Sequence, residues 1–76
     1  GRGGALITHV TPEGPAAKAG IRAGDVIMRV GDTSIHDPQD VHRLITDTPV
    51  GTRLDLHIIR DGHRQRMSVE VAELPA

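Results

Sequence analysis

The residues of this chain that are able to do covalent chemistry are few and scattered. There is no cysteine, so the candidate nucleophiles are hydroxyls: Ser34, Ser68 and several threonines. Ser34 lies in a turn-rich stretch and Ser68 in the middle of a strand-like run. A serine nucleophile needs a sharp elbow that exposes its oxygen and oxyanion donors beside it; neither serine stands in a G-x-S-x-G element. The five histidines, His9, His36, His42, His57 and His63, are the available general bases. They are spread over strand, loop and helix, and four of them read as solvent-facing. His36, Asp37 and His42 come nearest to a metal-ligand set. No H-x-x-E-H or H-x-x-x-H spacing places two ligands on one helical face, however, so no metal site is expected. The glycines form no phosphate-cradling loop, because no strand precedes a G-x-G-x-x-G or G-x-x-x-x-G-K element. No catalytic residue and no cofactor is expected.

Composition narrows the remaining classes. Seventy-six residues make one domain, taken here as 1–76. A chain this short buries only about 60% of its unfolded surface, so its core must be small. Phe, Tyr, Trp and Cys are all absent, and apolar residues are 37% of the total. Neither disulfides nor thiolate zinc sites can staple the fold, and the redox compartment is unreadable. Nine Lys and Arg against ten Asp and Glu give a formal net charge of −1. That balance lacks the basic footprint of a nucleic-acid binder, and the missing aromatics remove stacking platforms for single strands. No run approaches the roughly 20 apolar residues of a membrane span.

The organising stretch is Gly14–Met28, G-P-A-A-K-A-G-I-R-A-G-D-V-I-M. Pro15 suits the first turn of a helix, and Ala16–Ala19 are strong helix formers. Gly20 stands where a helix wants a left-handed terminal residue, and Ile21 is the apolar residue that packs back on the last turn. Arg22–Asp25 makes a second corner, and β-branched Val26–Val30 reads as a strand. Ahead of this unit, Ala5–Val10 reads as a strand with Leu6 and Val10 on one face. Behind it, Gly31–Ser34 is a turn. Asp37 caps a helix over Pro38–Asp47, with Pro38 at its first position and Asp40 adding negative charge to its first turn. Val41, Leu44, Ile45 and Thr48 fall at helical spacing and define its buried stripe. Leu54, Leu56 and Ile58 alternate with Asp55, His57 and Ile59 as a half-buried strand. Asp61-Gly62 is a hairpin turn, and the returning strand turns Met67, Val69 and Val71 inward. The expected class is α+β: a small antiparallel sheet curled into a partial barrel, capped by one short and one longer helix.

The segment G-P-A-A-K-A-G-I-R-A-G-D-V-I, followed by a short strand and Gly31-Asp32, resembles the signature of a bacterial PDZ domain of the kind attached to HtrA-type serine proteases. The similarity continues through Pro49-Val50-Gly51, Leu54–Ile59, Arg60-Asp61-Gly62 and Met67–Val71, covering the chain from Gly4 to Leu74. Such a domain binds an extended peptide, usually a C-terminal tail, as an added strand between a sheet edge and its main helix. The resemblance implies that Pro38, His42 and Ile45 line that groove. Ile45 would floor the pocket for the peptide's last side chain, and His42 would meet a side chain further upstream. In the family, a loop that binds the peptide carboxylate and the groove strand itself both precede the segment matching Ala5–Val10. Only Gly1–Gly4 stands there, so either the chain begins inside the domain, the favoured expectation, or Arg2, Gly3 and Gly4 give a makeshift loop in which Arg2 attracts the carboxylate. An edge left open in this way is expected to self-associate by a domain swap or by seating a neighbour's tail, such as Glu73–Ala76. The implied role is regulation or feeding of a periplasmic or envelope serine endopeptidase by unfolded-protein tails, with no catalysis by this chain, no nucleic acid and no membrane span. Two alternatives stand beside it. One is a PDZ domain of another parent: a membrane metalloprotease, a C-terminal processing protease or a secretion component. The other is a structural domain that binds no free peptide.

Overall fold

A computed structural model of the chain describes residues 3–72. Arg2 of the expected loop and the expected tail 73–76 lie outside them. The elements run β1 (Ala5–Leu6), α1 (Pro15–Ala19), β2 (Val26–Val30), β3 (Thr33–Ser34), α2 (Pro38–Thr46), β4 (Arg53–Arg60) and β5 (His63–Glu70). All strand pairs are antiparallel, in the order β1-β2-β4-β5, with β3 paired to β2. The sheet is therefore open, and the expected α+β class with one short and one longer helix holds.

The organising stretch folds as its residues dictate. Gly20 sits at φ 95° and closes α1. Its N–H donates to the Ala17 carbonyl at 3.1 Å and the Ile21 N–H to the Ala16 carbonyl at 3.0 Å, the paired bonds of a Schellman ending. Ile21 is thereby driven into the core. At the β4–β5 turn, Asp61 and Gly62 both take positive φ, 52° and 79°, which matches the twist of the flanking strands. Asp37 and Asp40 form a reciprocal capping box at the start of α2.

Ala5, Ile21, Ile27, Val30, Ile35, Leu56 and Ile58 make the core, without a single aromatic ring. Val41 and Leu44 of α2 and Met67 and Val69 of β5 pack onto it half-buried. Three expectations are corrected. The strand expected over Ala5–Val10 ends at Leu6. The segment opposite turns there: Gly24, at φ 99°, still donates to the Ile7 carbonyl, but Ala23 and Gly24 form a turn and offer no strand to Thr8–Val10. Within the expected turn Gly31–Ser34, Thr33 and Ser34 fold back as β3 against Val30 and Arg29. Helix α2 closes at Thr46 rather than Asp47. The Thr46 and Thr48 hydroxyls donate to the His42 and Leu44 carbonyls, at 2.8 and 2.6 Å, where the helix ends.

Candidate functional site

Helix α2 presents two stripes. Val41 and Leu44 turn to the core, while Pro38, His42 and Ile45, at i, i+4 and i+7, lie together on the exposed side. Ile45 is 45% exposed, so it does not share the buried stripe that spacing alone assigns it. The sheet strand beside α2 is β1. Ile7 is a hydrogen-bonded position against Asp25, its N–H donating at 2.8 Å. Antiparallel alternation then turns the Leu6 N–H and C=O away from β2, and no strand pairs with that outer edge among the described residues.

The glycines of the expected loop separate. A Cβ on Gly3 would stand 2.9 Å from the Ile35 carbonyl and 3.3 Å from His36 Nδ1, so Gly3 runs against the entry to α2. That is the opposite end of the helix from Ile45, about 12 Å away by helical rise. Gly4, at φ 111°, turns instead toward Val26 and Met28 on β2, where a Cβ would stand 2.8 Å from Val26 Cγ1. The structure thus brings Pro38, His42 and Ile45 together and does not bring Gly3 and Gly4 to Ile45.

The ends of α1, β2 and β4 are joined by a clasp that sequence reasoning missed. Asp25 is 1% exposed. Its Oδ1 accepts from Arg60 Nε at 2.8 Å; its Oδ2 accepts from Arg60 Nη2 at 2.7 Å and from the Arg22 N–H at 2.9 Å. Arg60 Nη2 also donates to the Gly20 carbonyl at 2.8 Å, so one guanidinium joins the end of α1, the start of β2 and the end of β4. These Arg60 bonds hold the Asp25 carboxyl below its ordinary value, against burial, which pushes it up. The Asp25 bond in turn raises Arg60. At the other helix, the His36 N–H donates to Asp40 Oδ2 at 2.8 Å and lowers that carboxyl. Among the described residues, no three His, Asp or Glu side chains converge as metal ligands. No helix there is long and apolar enough to cross a membrane.

The model of the PDZ domain family matches residues 1–71. The chain belongs to the PDZ-domain family. This PDZ domain is 42% identical over 72 residues to a probable periplasmic serine endoprotease DegP-like of Pseudomonas savastanoi pv. phaseolicola, covering 95% of the chain and 15% of that protein. It is 36% identical over 72 residues to the protein of the same name in Brucella suis biovar 1, covering 95% of the chain and 14% of that protein. Among solved structures it superposes on the HtrA-type protease AlgW with decapeptide at a TM-score of 0.87 and 25% identity, covering 93% of this chain and 22% of that one. It superposes on the serine endoprotease from Yersinia pestis at 0.83 and 28% identity, covering 97% and 30%. The domain therefore spans about 15% of the length of these curated relatives. Its clasp residue Asp25 stands inside the G-D-V motif that carried the resemblance. The signal that would have marked Asp25 as structural is its burial, and a lone Asp after glycine reads as a turn residue in sequence.

Proposed function

We propose that this PDZ domain is a peptide-binding module that takes an extended, hydrophobic-ended polypeptide tail beside α2. In this reading Ile45 receives the last side chain and His42 one further upstream. The observation that carries it is the exposed stripe Pro38, His42 and Ile45, standing on the helix that neighbours the unpaired edge of β1. An exposed isoleucine on an otherwise polar helix face gains free energy only when something covers it. The relatives named as periplasmic serine endoproteases and the peptide-bearing neighbour AlgW support a role in regulating or supplying an HtrA-type protease in the periplasm. The reading assigns the domain recognition and leaves bond cleavage to the protease. The open β1 edge further supports self-association at high concentration, which sedimentation velocity reads directly.

The test uses short peptides ending in an aliphatic residue, each with a free or an amidated C-terminus, titrated into the isotopically labelled chain. Amide shifts at His42 and Ile45 that require the free carboxylate are expected. Equal shifts with both peptides, or shifts that spare α2, overturn the assignment.

A further inference from the structure

The face of the sheet turned away from the core carries a charge pattern that the peptide groove does not use. Register fixes two neighbouring rows. In one, Ser34 stands opposite Arg29, Arg29 opposite His57, and His57 opposite Arg66. In the other, Leu6 stands opposite Val26, Val26 opposite Ile59, and Ile59 opposite Arg64. Directly opposed side chains on one face lie about 5 Å apart at Cβ, where like charges repel. The first row thus sets Arg29 and Arg66 on either side of His57, two strand spacings apart, with no carboxylate between them. Among the described residues the ion pairs are Arg53–Glu70 and Arg60–Asp25, so Arg29, Arg64 and Arg66 have no acidic partner there. Asp55 shares this face but pairs across to Ser68, one step beyond the arginines, and reaches none of them.

The same residues surround a hollow of about 400 Å³ that contains no carboxylate: Arg29, His57, Arg64 and Arg66 stand over a floor of Met28 and Ile59. The apolar row leaves that floor through half-buried Val26 and ends on Leu6, which is 56% exposed. From these observations we propose that this outer face is a docking surface for an acidic segment of a polypeptide, its carboxylates held by Arg29, Arg64 and Arg66 and an aliphatic side chain laid on the Ile59–Val26–Leu6 row. The spacing fits an extended chain. Arg64 and Arg66 are two strand residues apart, about 6.7 Å, and Arg29 is two strand spacings from Arg66, about 10 Å. Carboxylates at alternate positions of an extended segment repeat at the first of these distances, and each meets a guanidinium with both oxygens. Nucleic acid fits less well, since the hollow has an aliphatic floor and the chain offers no aromatic ring on which a base stacks.

The probe is an acetylated and amidated octapeptide alternating Glu with Leu and Ala. Its blocked end makes it a poor ligand for a carboxylate-reading groove, so failure here and failure of the α2 reading are distinguishable. Titrated at low ionic strength, it is expected to move the amides of Arg29, His57, Arg64 and Arg66. The double variant Arg64→Ala/Arg66→Ala is expected to weaken binding at least tenfold, about 1.4 kcal/mol. Ile45→Ser is expected to leave it unchanged. Shifts confined to α2 overturn the proposal, as does equal binding of a Gln-for-Glu peptide. No binding at low salt also overturns it, and assigns the arginines to guarding the β5 edge against aggregation. Equal affinity for an oligothymidylate or for anionic lipid vesicles shows mere attraction of polyanions and likewise overturns it. If the double variant does not fold, the amide map of the unaltered chain decides alone.

Discussion

Replacing Asp25 by Asn tests whether the clasp holds the fold. The two side chains have the same shape, so the change is one of charge and of one donor for one acceptor. Both Asp25 oxygens accept: Oδ1 from Arg60 Nε, and Oδ2 from Arg60 Nη2 and the Arg22 N–H. An Asn at this position must aim its NH₂ at one of these donor sets. In the better orientation it faces Arg60 Nε and forfeits that bond, about 1.5–3 kcal/mol for a charge-assisted one. The Arg22 N–H bond falls to neutral strength, roughly halved, and the Arg60 Nη2 bond is left with only its donor ionised. Partial access of water to Arg60, whose side chain is 16% exposed, returns some of this. A net loss of about 3 kcal/mol follows. Against the roughly 4–11 kcal/mol expected for a domain of this size, that is a large fraction. At about 4–8 °C per kcal/mol, thermal denaturation followed by circular dichroism should shift down by about 12–24 °C. The pH dependence carries the same signature. The folded pKa of Asp25 is depressed, so its contribution is complete above the unfolded carboxylate value and is lost as pH falls through the folded value. The unaltered chain should therefore lose stability in acid through this group, and the Asn variant should lose less. A melting shift below about 3 °C, or acid limbs that coincide, would refute the reasoning.

Asp37→Ala removes the side chain that accepts from the Asp40 N–H at 3.1 Å, and should cost about 1 kcal/mol, read as a lower urea midpoint at unchanged slope. Glycine positions should separate by cause. At Gly20 an added Cβ meets nothing within 4 Å, so Gly20→Ala should cost only its strained backbone, about 1 kcal/mol. Gly4→Ala adds the 2.8 Å contact with Val26 Cγ1 to the same strain and should be worse by chemical denaturation. Ile58 is 1% exposed, and Ile58→Ala should cost about 2–5 kcal/mol, whereas Ile45→Ser should cost under about 1 kcal/mol and abolish binding of a hydrophobic-ended peptide in the same titration.

What was legible in the sequence is what the chain decides locally. Pro15, Gly20 and Ile21 encode a helix ending within seven residues, and Asp37 with Asp40 encodes a helix start within four; both sets of bonds are present. Asp61-Gly62 fixes its turn because each residue accepts positive φ. The larger misses involve a partner distant in sequence, whereas β3 and the end of α2 are local departures of a residue or two. Alternation through Ala5–Val10 suggested a full strand, but β1 lasts only as long as β2 stays extended opposite it. Leu6 was placed with Val10; register with Val26 puts it on the outer face instead. Asp25 read as a corner residue because its ligand, Arg60, lies 35 positions away.

The same distinction orders the functional readings. The α2 stripe was visible because helical spacing is local, and only its exposure at Ile45 needed the fold. The basic rows were invisible, since Arg29, His57 and Arg66 become neighbours only once β2, β4 and β5 are in register. Shifting β5 by one residue would send Arg64 and Arg66 to the core face and Gln65 and Met67 outward. The inward anchoring of Met67 and Val69 on the core forbids that slip. The packing that stabilises the sheet thus also holds Arg29, Arg64 and Arg66 together on its far side, where an acidic partner would meet all three.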